Sequence, residues 1–130
     1  MAWCPKTFRA IVVASFVSLS TSSAFASGDA ANGATLFKSN ICSACHSTAK
    51  GGVSPIGPNL FGVVGRKAGS LAGYSYSPAM KASGMTWDES ALAKYVTSPS
   101  TVVPGNKMVF AGIKKQQDAE DVAAYLTTLK

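Results

Sequence analysis

The stretch Asn40–His46, NICSACH, puts Cys42, Cys45 and His46 within five consecutive residues. His46 is the only histidine of the 130-residue chain, and the one other cysteine, Cys4, lies far off near the N-terminus. Three chemistries are open to such a cluster: half of a zinc site, a thiol–disulfide pair, or the attachment point of a cofactor. A structural zinc needs four ligands, usually with a second Cys/His pair well downstream. No second pair follows. A Cys-x-x-Cys pair with a following His can lower a thiol pKa. Redox proteins of that kind set the pair at the head of a helix within a strand–helix framework, and no stretch of this chain alternates clearly as strands do.

The third reading is that Cys-x-x-Cys-His is the signature of covalent c-type haem attachment. Side chains three apart on a helical turn share a face. Both sulfurs can therefore bond the vinyl groups along one side of the porphyrin, with His46 placed under the iron as an axial ligand. Haem iron held by His and Met is the arrangement of electron-transfer haem proteins. Met80, Met85 and Met108 are the candidates for the second ligand beyond the motif. Met85 sits just before a helix and reads as packing, and Met80 lies in SPAMKASG. Met108 follows a Pro-Gly turn in VPGNKMVFAG, which can hold a side chain at a fixed angle, and it is the favoured ligand. Another ligand, or an open sixth position suited to an enzyme or a gas-binding protein, stays open at this point.

The N-terminus reads as a targeting segment. Lys6 and Arg9 precede the apolar run Ala10–Leu19, and Ala24-Phe25-Ala26 ends a small, polar stretch. That order is the layout of a secretory signal peptide, too short to span a bilayer. Residues 1–26 are expected to be cleaved, which removes Cys4 and leaves a single domain over residues 27–130. Without Lys6 and Arg9, twelve basic residues become ten against six acidic ones, a formal charge of +4. This mild excess suits an acidic docking surface on a partner. No Lys/Arg cluster with interleaved aromatics points to nucleic acid, and no other apolar run could serve as a membrane anchor.

The organisation of residues 27–130 is helical at both ends. Asp29 is a plausible N-cap ahead of Leu36 and Phe37. Lys50 to Ser77 reads as loop, with Gly and Pro recurring, and its glycines fit no nucleotide-binding pattern. In TWDESALAKYVTSP, Thr86 and Glu89 form an expected capping box and Pro99 marks the end. A last helix is expected from about Gln117 to Leu129, with Asp118, Glu120 and Asp121 in its first turns, favourable for the helix dipole, and Val122, Tyr125, Leu126 and Leu129 as its apolar stripe. So long a loop in so small a domain is unusual unless it is functional or wraps something.

At this point the chain resembles the class I cytochromes c, nearly end to end. The resemblance is carried by CSACH, GPNLFGVVGRKAG, GYSYSPAM, TWDESALAKYV, PGNKMVFAGIKK and DVAAYLTTLK, in family order and at family separations. It implies an all-α fold in which the N- and C-terminal helices cross and a central helix and long loops enclose one haem c, bonded through Cys42 and Cys45. It implies His46 and Met108 as iron ligands, and a Pro58 carbonyl that accepts the other ring N–H of His46. Arg66, Tyr76 and Trp87, with Asn106, are implied as donors to the haem propionates, and Tyr95 as a neighbour of the axial Met. Gly33, Phe37 and Tyr125 fall where the terminal helices cross.

The implied function is a one-electron carrier rather than an enzyme: a monomeric periplasmic protein of a respiratory chain, cycling between Fe(II) and Fe(III). Its partners would be a reductase or dehydrogenase donor and an oxidase or other acceptor, with acidic docking surfaces. Three departures from the family pattern stand out. One extra residue separates Phe37 from Cys42, Asn106 replaces a threonine, and Met80 replaces a common asparagine.

Overall fold

The two ends of the domain hold each other. In the computed structural model, which describes residues 28–130, helix α1 spans Ala30–Ser39 and helix α6 spans Gln116–Thr127. The segment assigned as a signal peptide, residues 1–26, lies outside the described residues. Between these helices come α2 (Cys42–Cys45), α3 (Pro78–Ala82), α4 (Glu89–Thr97) and α5 (Pro99–Val102). Helix α6 packs on both α1 and α4. Among the described residues no sheet forms; the one β-bridge pairs Lys67 with Thr86.

Helix α1 starts where Asp29 accepts hydrogen bonds from the N–H groups of Ala31 and Asn32 at 2.9 and 3.1 Å. These satisfy two donors that the first turn would leave orphaned. Its inner face meets α6 at Gly33, where a Cβ would run into the Asp121 carbonyl and come within 2.9 Å of Tyr125 Cβ. Glycine is what lets the two backbones approach this closely. Beside it the Phe37 and Tyr125 rings meet at 5.5 Å and 57°, a tilted aromatic pair.

Asp121 supplies a polar lock that the sequence reading missed. It was expected to favour the helix dipole, but it turns inward and is only 3% exposed. Its carboxylate accepts from Asp29 N–H at 2.7 Å, Asn32 Nδ2 at 2.7 Å and Gln117 Nε2 at 2.9 Å. The bond from Asn32 is the chief cause that holds its pKa below the ordinary value, against the opposing effect of burial. The contacts to Asp29 and Asn32 tie the start of α1 to the middle of α6.

The expected start of α4 moves. Helix α4 is capped by Asp88, whose side chain accepts from Ala91 N–H at 2.7 Å, and not by Thr86. Thr86 is committed elsewhere, because residues 65–68 pair with 85–87. In that pairing Gly65 N–H donates to Trp87 O at 2.7 Å, Trp87 N–H to Arg66 O at 2.9 Å and Ala68 N–H to Met85 O at 2.8 Å. A Thr86 cap would require Trp87 to open the helix, and Trp87 is held in the pairing through both its N–H and its carbonyl. Pro99, in turn, opens the short α5 directly after α4 ends at Thr97. A missing N–H costs nothing at a first helical position.

The step from α1 to Cys42 is made at Ile41. Asn40 closes α1 through its backbone N–H and its Nδ2, both donating to Leu36 O, at 2.8 and 2.9 Å. Ile41 then takes φ 63°, the only positive value outside glycine among the described residues. The left-handed step redirects the chain into α2.

Two outcomes test this frame. Gly33→Leu should cost about 3 kcal/mol or more, because the obstruction is backbone, and should leave the reduction potential nearly unchanged; an unaltered melting temperature would refute the close crossing. Asp121 has a folded pKa below its unfolded value of about 3.9. Its contribution is therefore complete above that value and is lost as pH falls through the folded pKa. Asp121→Asn should lower stability at neutral pH and flatten the acid limb of the stability–pH curve between those two values, measured by denaturant titration across pH 2–7.

Candidate functional site

Cys42 and Cys45 stand one turn apart on α2, so their sulfurs share a face. The turn ends at His46, which takes an extended conformation (φ −120°, ψ 130°) while its N–H still donates to Cys42 O at 2.9 Å. The chain then loops back beneath the imidazole. Cys45 O accepts from Gly57 N–H at 2.8 Å, which pins the Gly57–Pro58 segment. His46 Nδ1 lies 2.7 Å from Pro58 O. A carbonyl only accepts, so Nδ1 carries the proton and Nε2 keeps its lone pair. Burial pushes the His46 pKa down, against the Pro58 bond, and this favours the neutral imidazole a metal requires.

Gly57 is the residue the sequence reading overlooked. A Cβ there would collide with His46 Cε1 and approach Nδ1 at 2.6 Å and Nε2 at 2.9 Å. The ring thus lies directly on the main chain. Asn59 completes the support: its Nδ2 donates to Ala49 O at 2.9 Å and Gly52 O at 2.7 Å, and its Oδ1 accepts from Phe61 N–H at 2.7 Å. GPN after a Gly-rich run was the available signal, since Gly and Asn there mark a turn with side-chain bonds to backbone.

These groups open onto a cavity of about 630 Å³, within the range of small-molecule and cofactor sites. Cys42, Cys45, His46, Pro58, Arg66, Tyr76, Trp87, Tyr95 and Met108 all line it. Asn106, alone among the predicted site residues, does not. Its Oδ1 accepts from Met108 N–H at 2.7 Å and its Nδ2 donates to Val103 O at 2.8 Å. Through these two bonds the carboxamide braces the backbone of its own loop. Apolar walls come from all parts of the chain, including Phe37, Leu60, Met80, Leu92, Phe110 and Leu126.

The polar lining has its own logic. Arg66 is half-buried and donates from Nη2 to Asn59 O at 2.9 Å and from Nη1 to Phe61 O at 3.3 Å. Burial lowers its pKa, with Tyr76 opposing, but an arginine stays charged in a protein. Burial likewise raises Tyr76, with Arg66 opposing. Tyr95, tilted at 58° against Trp87 with ring centres 5.0 Å apart, is pushed up to about 12, chiefly by burial. Both tyrosines therefore stay protonated donors. Burial also raises the Cys42 thiol, the direction opposite to that of a reactive redox thiolate.

The site fits a haem. Two thiols on one helical face, a backbone-supported imidazole and two thioethers, those of Met80 and Met108, line one apolar cavity, together with guanidinium, phenol and indole donors for two carboxylates. Such a set defines a protein that binds a planar, apolar metal cofactor covalently. Comparisons with known proteins agree. The family model for cytochrome c matches residues 30–130. Cytochrome c2 of Rhodomicrobium vannielii is 52% identical over 111 residues, covering 83% of this chain and 85% of that protein. Cytochrome c of Theileria annulata is 54% identical over 99 residues, covering 76% and 84%. The solved structure of cytochrome cH from Methylobacterium extorquens is 46% identical, with a TM-score of 0.70 over 78% of this chain and 99% of that one.

The chain belongs to the cytochrome c family, and its fold is that of the class I cytochromes c. It carries one haem c bonded through Cys42 and Cys45, and it is an electron-transfer protein rather than an enzyme. Among the described residues no helix is long and apolar enough to cross a membrane.

Proposed function

We propose that His46 Nε2 and Met108 Sδ are the axial ligands of the haem iron, and that the domain works in the periplasm as a monomeric carrier. The observation that carries this reading is the joint placement of the Nδ1–H tautomer of His46 and the Met108 side chain on the cavity that Cys42 and Cys45 line. When bound, the haem supplies the one-electron Fe(II)/Fe(III) couple. Met108 contributes a soft, neutral donor, and the apolar lining excludes water; both favour the less charged state and raise the reduction potential. The Pro58 carbonyl fixes the His46 tautomer and makes the ring more basic. Arg66, Tyr76 and Trp87 present donors to the same cavity and would hold the propionates, which could not be buried uncompensated.

Residues 1–26 would direct export and be removed. The donor would be a reductase or dehydrogenase and the acceptor an oxidase or another respiratory protein. Lys107, on the cavity lining, and the surplus of basic over acidic residues suit partners with acidic docking surfaces, in small and short-lived encounters.

Expression with haem-attachment machinery tests the site. The intact mass should correspond to residues 27–130 plus one haem, without titratable thiols, and the oxidised spectrum should be low-spin His/Met. A high-spin, five-coordinate spectrum would overturn Met108 as ligand. For the docking surface, electron exchange with anionic hexacyanoferrate should slow as ionic strength rises, with a smaller slope in Lys107→Gln. A rate indifferent to salt in the unmodified protein would sink the electrostatic reading.

A further inference from the structure

The segment that carries Met108 is tied to the core through the side chain of Asn106. We propose that Asn106 is a positioning residue for Met108: its carboxamide fixes the main chain at residue 108 and thereby aims the thioether into the cavity. The inference rests on the reading of Met108 as an iron ligand.

Three hydrogen bonds converge on Asn106. Its backbone N–H donates to Val103 O at 3.1 Å, Nδ2 donates to the same oxygen at 2.8 Å, and Oδ1 accepts from Met108 N–H at 2.7 Å. The amide orientation follows from its neighbours, since a carbonyl can only accept and an N–H can only donate. Val103 is 3% exposed and belongs to the core, so the clamp ties the loop to a fixed point. Pro104, Gly105 and Lys107 are exposed and offer no such tie inward. Lys107 restrains the loop from outside instead, its Nζ donating to Ser75 O at 2.9 Å.

The residue type matters. A carboxamide donates and accepts from one planar group, and here both functions are used. Aspartate could accept from Met108 but would set a second acceptor against Val103 O. Alanine would leave both backbone groups without the side chain. The Pro-Gly turn alone fixes where the chain reverses. Asn106 fixes the backbone two residues later, where a ligand is carried.

The test uses the haem-loaded protein and its oxidised sulfur-to-iron charge-transfer band. In the unmodified protein the band should be present and be lost at some alkaline pH; its absence at neutral pH would overturn the Met108 reading itself. In Asn106→Ala the midpoint for loss of the band should fall by about one pH unit, a change of about tenfold in the ligand-exchange equilibrium and comparable to one lost hydrogen bond. Asn106→Asp, which keeps the acceptor for Met108 N–H, should shift it less. A lower melting temperature with an unmoved midpoint and an unmoved potential would show that Asn106 only shapes the turn, and the proposal would fall. Should Asn106→Ala not load haem, Asn106→Asp and amide exchange in the unmodified protein decide. The Met108 N–H should exchange far more slowly than that of Val109, and equal rates would overturn the clamp.

Discussion

A cavity of about 630 Å³ occupies the place where a domain of this size would build its core, and most of the structure answers to that constraint. A chain of roughly a hundred residues buries a limited share of its surface. Here the apolar side chains are spread as a lining, from Phe37 in α1 to Leu126 in α6. Direct helix–helix packing is concentrated where α6 meets α1 and α4. The rest of the wall is loop, held by hydrogen bonds to its own backbone rather than by a sheet.

Those loops are held by polar side chains that act on main-chain groups. Arg66 donates to two carbonyls, Asn59 to two more, and Asn106 bridges a carbonyl and an N–H. Asp121 does the same work at the helix crossing, through Asp29 N–H. A backbone without regular structure still has to satisfy its donors and acceptors when partly buried. Side chains with several hydrogen-bonding atoms do so here, and in doing so they fix the shape of the cavity.

Much of this was legible in the sequence. The attachment motif, the Pro-Gly loop before Met108 and the apolar stripe of α6 are local patterns whose chemistry is set by residue type and spacing. Asp29 as an N-cap and the Gly33 crossing with Phe37 and Tyr125 also stand where they were expected. What escaped depends on partners far away in sequence. Thr86 and Asp88 are both good caps locally, and only the pairing of 85–87 with 65–68 decides between them. Asp121 reads as a dipole-friendly acid until residues 89 and 92 positions earlier fold against it. Gly57 is one of many loop glycines, and its importance lies in the ring above it.

That last contact has a wider consequence. Because the His46 imidazole rests on Gly57 backbone and bonds a backbone carbonyl, the course of the chain itself orients the ring. The same loop turns Val53 outward, 93% exposed. The two surfaces of the loop are therefore free to diverge independently. The outer one can drift or be selected to suit a changing set of contacts, while the inner one hands down an unaltered ligand geometry. A lineage of such proteins could exchange partners without rebuilding the metal site.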